Sequence, residues 1–394
     1  MTLETWLPQD DPDREAVIDG VRRVEKPLRE VDRYWGMQAV GDVLRRRRTP
    51  PPGVWDWVVG LLDAPHWDWL TVSQALHLIG GGGTAVAPYA DRLVRVLDLQ
   101  EECDRYGPSM VDNVLRVLAR QGDLRAVPLL RERLRTERYF GYPADLLALP
   151  AEQLLPAALD KLRNGPPGSM LKLLATWGPV GAPAVPEVTL LLPVLGLARD
   201  ACLTLGRIGP AAAPAAGLLA EYATGAARPE RWKTPRRWHG TQAAAWAYWR
   251  ITGEPELLLR ETDTAMRAGL GRPVLRHLAE LGPLAAPFVD RLRPLLDAPG
   301  AWTRTGAAHA WWRITGDPAP AVPVLTAVLT AADFGPHAPT LDAIRHLGEI
   351  GAPAAPAAPH LRAVLAGEQR LGPDILTDEE LLRTAAAALT AVGS

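Results

Sequence analysis

The sequence predicts an all-α protein, a right-handed superhelix of about nine stacked helix pairs with additional capping helices at its N-terminus. Three observations predict it. A short apolar frame ending in glycine recurs along most of the 394 residues, a proline follows glycine at a fixed distance in several copies, and no alternating strand pattern competes with either.

The clearest pair of copies is Ala244-Ala245-Trp246-Ala247-Tyr248-Trp249-Arg250-Ile251-Thr252-Gly253 against Ala307-Ala308-His309-Ala310-Trp311-Trp312-Arg313-Ile314-Thr315-Gly316. Val274 to Gly282, Ala201 to Gly209, Ala343 to Gly351 and Ala385 to Gly393 fit the same frame, and Val72 to Gly80 and Met170 to Gly178 fit it loosely. Its apolar positions fall one, three and four residues apart, which places them on one helical face. Glycine then ends the helix, because it enters the left-handed region without steric cost. Pro88, Pro186, Pro214, Pro287 and Pro356 each stand five residues after a glycine. Proline is tolerated in a first helical turn, so a second helix is expected to begin there.

This frame resembles the HEAT family, specifically the phycobilisome-lyase type of HEAT-like repeat, from about Trp69 to Ser394. The resemblance implies a right-handed α-solenoid of helix pairs and leaves function open, since the family includes scaffolds, chromophore lyases and DNA glycosylases. Residues 69–394 are therefore expected to form the solenoid and residues 1–68 to cap it, with helices over Asp13 to Val24 and Leu28 to Arg48.

Composition excludes several classes. The formal net charge is −2, so no global positive field favours nucleic acid or an anionic membrane. Cys103 and Cys202 are the two cysteines, in no metal-binding spacing, and suit a reducing cytoplasm. The N-terminal segment has acidic residues where a signal peptide is basic. Charges, Pro and Gly interrupt each apolar run before the roughly 18 residues of a membrane span. No cofactor or metal motif stands in a convincing context, and Gly80 to Gly83 follows a helix rather than a strand, so it reads as a turn. His277 and His346 share a frame position two repeats apart, too far to ligate one ion together, and read as structural.

Candidate contact residues fall into two groups. Second helices line the concave face in arrays that this chain resembles, so Arg92, Arg95, Arg131, Glu221, Arg260, Asp290, Arg291, Arg293, His360 and Arg362 are candidates there. Their mixed signs suit a protein surface better than a phosphate backbone. The second group is an inserted segment rich in Arg and Trp: Arg228, Arg231, Trp232, Lys233, Arg236, Arg237, Trp238 and His239. It is expected to continue towards an aromatic patch of Trp246, Trp249, His309 and Trp312. Tyr248, Trp311 and Trp177 replace aliphatic residues of the frame and are expected in the core.

Arg45 to Arg48, followed by prolines, reads as a helix end that places cations against the dipole. Trp55-Asp56-Trp57 and Trp67-Asp68-Trp69 read as helix starts with an acid in the first turn. No catalytic constellation is visible. The first expectation is thus a non-enzymatic protein-binding scaffold; a nucleic-acid-binding, glycosylase-like protein and a lyase-like or chaperone-like handler of a small molecule are the alternatives.

Overall fold

A computed structural model describes residues 11–26, 30–50, 53–63, 69–98, 109–136, 143–194, 196–226, 237–269, 271–330 and 338–393. Among these every regular element is a helix, and the sole β contact is an isolated antiparallel bridge between Arg47 and Gln369. The α-helices are α1 (Arg14–Glu25), α2 (Glu30–Arg46), α3 (Val54–Gly60), α4 (Trp69–Gly80), α5 (Ala90–Leu97), α6 (Ser109–Arg120), α7 (Val127–Thr136) and α8 (Ala151–Asn164). They continue as α9 (Gly168–Trp177), α10 (Val185–Leu190), α11 (Ala198–Ile208), α12 (Ala216–Thr224), α13 (Arg237–Thr252), α14 (Glu256–Arg267) and α15 (Gly271–Leu281). The last are α16 (Val289–Leu292), α17 (Ala301–Thr315), α18 (Ala321–Thr330), α19 (Ala338–Ile350), α20 (Ala358–Ala366) and α21 (Ile375–Val392).

The recurring frame forms the first helix of each pair and buries its aliphatic positions, as with Leu205, Leu278 and Leu347. Gly209, Gly282 and Gly351 end α11, α15 and α19 at φ values of 77°, 56° and 73°, a region a side chain would strain. The start of the second helix differs from expectation. Pro88, Pro214, Pro287 and Pro356 lie inside short 3₁₀ segments, and the α-helices α5, α12, α16 and α20 begin just after them. A 3₁₀ turn has poorer hydrogen bonds than an α-helix, so it loses less when proline withholds its N–H. Pro186 does sit in the first turn of α10.

Each first helix touches the next along the chain: α4 meets α6, α9 meets α11, and the contacts run on through α13, α15, α17 and α19 to α21. Between α6 and α9 the first-helix layer is reduced to one 3₁₀ turn, Pro143–Leu146, which touches both. Its buried Asp145 receives Arg116 Nε at 2.8 Å and Arg120 Nε at 2.7 Å, so two charge-assisted bonds hold the turn where a helix would otherwise pack.

At the N-terminus, α1 and α2 pack on each other and α2 packs on α4. The Arg45 to Arg48 run does more than complement a helix dipole. Arg48 crosses to the last part of the chain, where its Nε and Nη2 each donate to Asp378 at 2.9 Å. Asp378 is fully buried and also accepts the Leu371 N–H at 2.9 Å. Arg48 Nη1 donates to the carbonyls of Val364 and Gly367, and the Arg370 N–H donates to the Arg46 carbonyl at 2.8 Å. Nearby, the Thr84 N–H donates to Glu379 at 2.9 Å, so the Gly80 to Gly83 turn is also tied to α21. The path of contacts therefore closes on itself.

Removing one partner of a buried ion pair leaves the other charge unpaired, at a cost of about 3–5 kcal/mol. Asp378→Asn keeps the side-chain shape and is expected to lower the unfolding free energy, measured from the urea transition of helix loss, by that order. A loss nearer the ~0.5 kcal/mol of an exposed pair would mean that the two ends are not joined in solution.

Candidate functional site

The residues that set the site lie on the first helices α11, α13, α15, α17 and α19. One frame position carries Leu203, Trp246, Arg276, His309 and Arg345 in these helices, and the next carries Thr204, Ala247, His277, Ala310 and His346. Neighbouring helices place the first of these positions against the second. Trp246 on α13 therefore meets His277 on α15, and His309 on α17 meets His346 on α19.

The Trp246 ring is 2% exposed, a correction to its place in an aromatic surface patch. It enters the layer because α11 has Gly206 opposite: a Cβ there would lie 2.4 Å from the ring. The indole stacks on His277, with centroids 6.1 Å apart, and its Nε1–H donates to Glu280 Oε2 at 2.7 Å. Arg276 Nε reaches Glu280 Oε1 at 3.1 Å, and Arg207 lies over the indole, 5.3 Å from its centre. Burial drives the His277 imidazole from an ordinary 6.5 down to about 4.

Two helices further on, His309 and His346 stack with centroids 3.5 Å apart and planes at 11°. Glu349, three residues after His346 as Glu280 is after His277, turns Oε2 to both rings: His309 Nε2 is 3.1 Å away and His346 Nδ1 is 3.3 Å away. The His309 contact is an ion-pair distance without hydrogen-bond alignment, so among the described residues this buried nitrogen has no hydrogen-bond partner. The His309 and His346 imidazoles hold the Glu349 carboxyl well below the usual carboxylate range. Burial lowers the His309 pKa, against the opposing pull of Glu349.

Pairing His277 with His346 by frame position missed this arrangement, because the partner of each comes from the adjacent helix. The legible signal was the repeated His-Leu-x-Glu of α15 and α19, each preceded one first helix earlier by the matching Trp246 or His309. The small residues Gly206, Ala279 and Gly348 have Trp249 and Trp312 as their counterparts, and both rings are half-exposed, with Arg250 6.0 Å and Arg313 5.9 Å from their centres. Tyr248 and Trp311 are half-buried rather than core, packing at its edge, whereas Trp177 is buried.

Of the inserted segment, residues 228–236 and the side chains of Arg237, Trp238 and His239 lie outside the described residues. Cys103, Trp67 and Asp68 lie outside them as well. The concave-face candidates all stand on, or just after, second helices. Arg95, Arg131, Glu221, Arg260, Asp290, Arg291, Arg293 and Arg362 are exposed, and Arg92 and His360 are half-exposed. Arg92 pairs with Asp63 and Arg291 with Asp263. An open groove of about 620 Å³ runs between α18 and α20, lined by residues including Pro318, Val322, Pro323, Thr326, Pro353 and His360. In the first Trp-Asp-Trp triplet, Trp55 is buried, Asp56 accepts the Tyr89 hydroxyl at 2.8 Å and Trp57 Nε1 donates to Glu25 at 3.1 Å, so all three are used in packing.

The stretch Ala198–Thr224 has the length and mean hydropathy, 1.2, of a membrane span, which the sequence reading did not anticipate. Half of it is buried, and Gly209 breaks it between α11 and α12. No family model and no curated protein matches the chain. Among solved structures, the crystal structure of an engineered protein aligns over 96% of this chain and 99% of its own, with 16% identity and a TM-score of 0.31.

A histidine kept neutral by burial has a definite sign in stability. The unfolded chain binds a proton that folded His277 refuses, so its contribution is complete above about pH 6.5 and is lost as pH falls towards about 4. The thermal midpoint is expected to fall across that window, and His277→Leu to flatten the fall. Equal slopes for the two proteins would mean that His277 is accessible to protons in the fold.

Proposed function

We propose that the chain is a HEAT-like right-handed solenoid acting as a non-enzymatic scaffold, which binds another protein on its second-helix face. The observation that carries this reading is how the arginines are already used. Arg45 pairs with Asp42, Arg46 with Asp13, Arg47 with Asp11 and Arg48 with Asp378. On the second-helix side Arg92, Arg163 and Arg291 likewise face carboxylates of the chain itself.

A cation paired within its own chain releases fewer counterions from a phosphate backbone, so these arginines, in contrast to the exposed Arg95, Arg131, Arg260, Arg293 and Arg362, weigh against the nucleic-acid reading. What the second-helix side offers instead is exposed charge of both signs beside an apolar groove, the composition of a polar rim around a less polar centre. A reducing cytoplasm suits the one described thiol, Cys202, which burial pushes up to about 12 and so keeps protonated and unreactive.

Binding to duplex and single-stranded DNA, followed by fluorescence anisotropy across salt concentrations, separates the two readings when run beside partner capture with nuclease. The scaffold reading expects a nuclease-resistant partner whose capture is lost on charge reversal at Arg260 and Arg362, together with weak DNA binding. Tight DNA binding that falls steeply with salt, or recovery abolished by nuclease, would replace it with the nucleic-acid alternative.

A further inference from the structure

We propose that His309, His346 and Glu349 bind one divalent transition-metal cation of the zinc class, and that Trp246, His277 and Glu280 are the counterpart of this triad in which an indole has replaced a ligand. The site lies on the first-helix layer and is independent of the scaffold reading, which concerns the second-helix face.

The donor set is two imidazole nitrogens and one carboxylate oxygen, with ligating atoms all within 4.8 Å of one another. Such ligands suit zinc and its neighbours, which hold nitrogen and oxygen at about 2.0–2.2 Å. Two ligands on one tetrahedral ion at those bond lengths stand about 3.3 Å apart. The observed separations from Glu349 Oε2 are 3.1 Å to His309 Nε2 and 3.3 Å to His346 Nδ1. The backbone thus already brings both nitrogens to the spacing that one ion requires of each with the carboxylate. To direct both lone pairs at the ion, the stacked rings must fan apart at their nitrogen edges. Glu349 is 38% exposed and leaves the remaining coordination position open to water. Ligation uses neutral imidazoles, each carrying its hydrogen on the other ring nitrogen.

Comparison of the two triads shows what differs. Glu280 is satisfied by a direct N–H donor and by cations: Trp246 Nε1 at 2.7 Å, Arg276 at 3.1 Å and Arg207 at 4.0 Å. An indole N–H only donates, so that triad has no place for a cation. At the second triad the residue matching Arg276 is Arg345, and it turns away to Asp342 at 2.8 Å and Glu380 at 3.6 Å. Glu349 is left facing two imidazoles; among the described residues His309 Nε2, like His277 Nδ1 in the first triad, is a buried nitrogen without an aligned hydrogen bond, but here a carboxylate oxygen stands 3.1 Å from it. A divalent cation satisfies all three groups at once.

The test uses the full, tag-free chain, stripped with a chelator and titrated with Co²⁺, whose visible absorption reports nitrogen and oxygen ligation at low coordination number. One equivalent of Co²⁺ is expected to develop the band, and Zn²⁺ to displace it. His309→Leu removes a ligand at a partly buried position without adding bulk, and Glu349→Gln is a conservative change at a partly exposed site, so both are expected to keep the wild-type circular dichroism. Each is expected to weaken binding by at least about 100-fold, the upper end of what loss of a supporting residue alone costs. His77→Ala and His360→Ala are expected to leave it unchanged. Absence of a stoichiometric band overturns the proposal, as does a band that survives His309→Leu and Glu349→Gln or disappears with His360→Ala.

Discussion

The buried ion pair of Arg48 and Asp378 is the contact on which the arrangement of the chain depends. A carboxylate taken wholly out of water is costly unless every lone pair finds a donor. Here the guanidinium supplies two bonds, the Leu371 N–H supplies another, and Arg370 stands 3.5 Å away. Such a site is favourable only when residues about 330 positions apart are held in register. In an open repeat array each unit contacts its neighbours and the two ends are independent. Joining them couples the first and last helices.

Small residues matter along the layer of first helices. Adjacent first helices approach closely where Gly206 faces Trp246 and where Gly348 faces Ala388, and the large Trp246 ring is admitted by Gly206 on the preceding helix. The same registration brings one frame position against the next and so builds both triads. Their chemistry then depends on single residues. An indole makes one a cluster in which the carboxylate already has its donor, and an imidazole makes the other a group of three potential ligands.

Much of this was legible in the sequence. The frame marks the first helices and their glycine ends, because burial and backbone sterics act locally and leave periodic traces. The helices expected over Asp13 to Val24 and Leu28 to Arg48 correspond to α1 and α2 within a few residues. Three features were not legible, each for a physical reason. The closure pairs residues too distant for any periodicity to link, so Arg48 read as a helix end. The turn Pro143–Leu146 replaces a helix through side-chain ion pairs rather than through an apolar pattern. The His309 and His346 cluster depends on the offset between neighbouring helices, which the frame alone does not specify. Trp246 read as part of a surface patch because the space that Gly206 leaves for it belongs to a different helix.

The closure is tested most directly by a distance measurement between spin labels in a Cys103→Ser background, where Cys202 is buried and inaccessible. Asp42 and Pro373 line the same cavity of about 490 Å³ where the two ends meet, and each is replaced by a labelled cysteine. A closed chain predicts one short, narrow distance, which broadens when Asp378→Asn is added. A long, broad distribution in the otherwise unaltered chain would contradict the closure and return the fold to an open array.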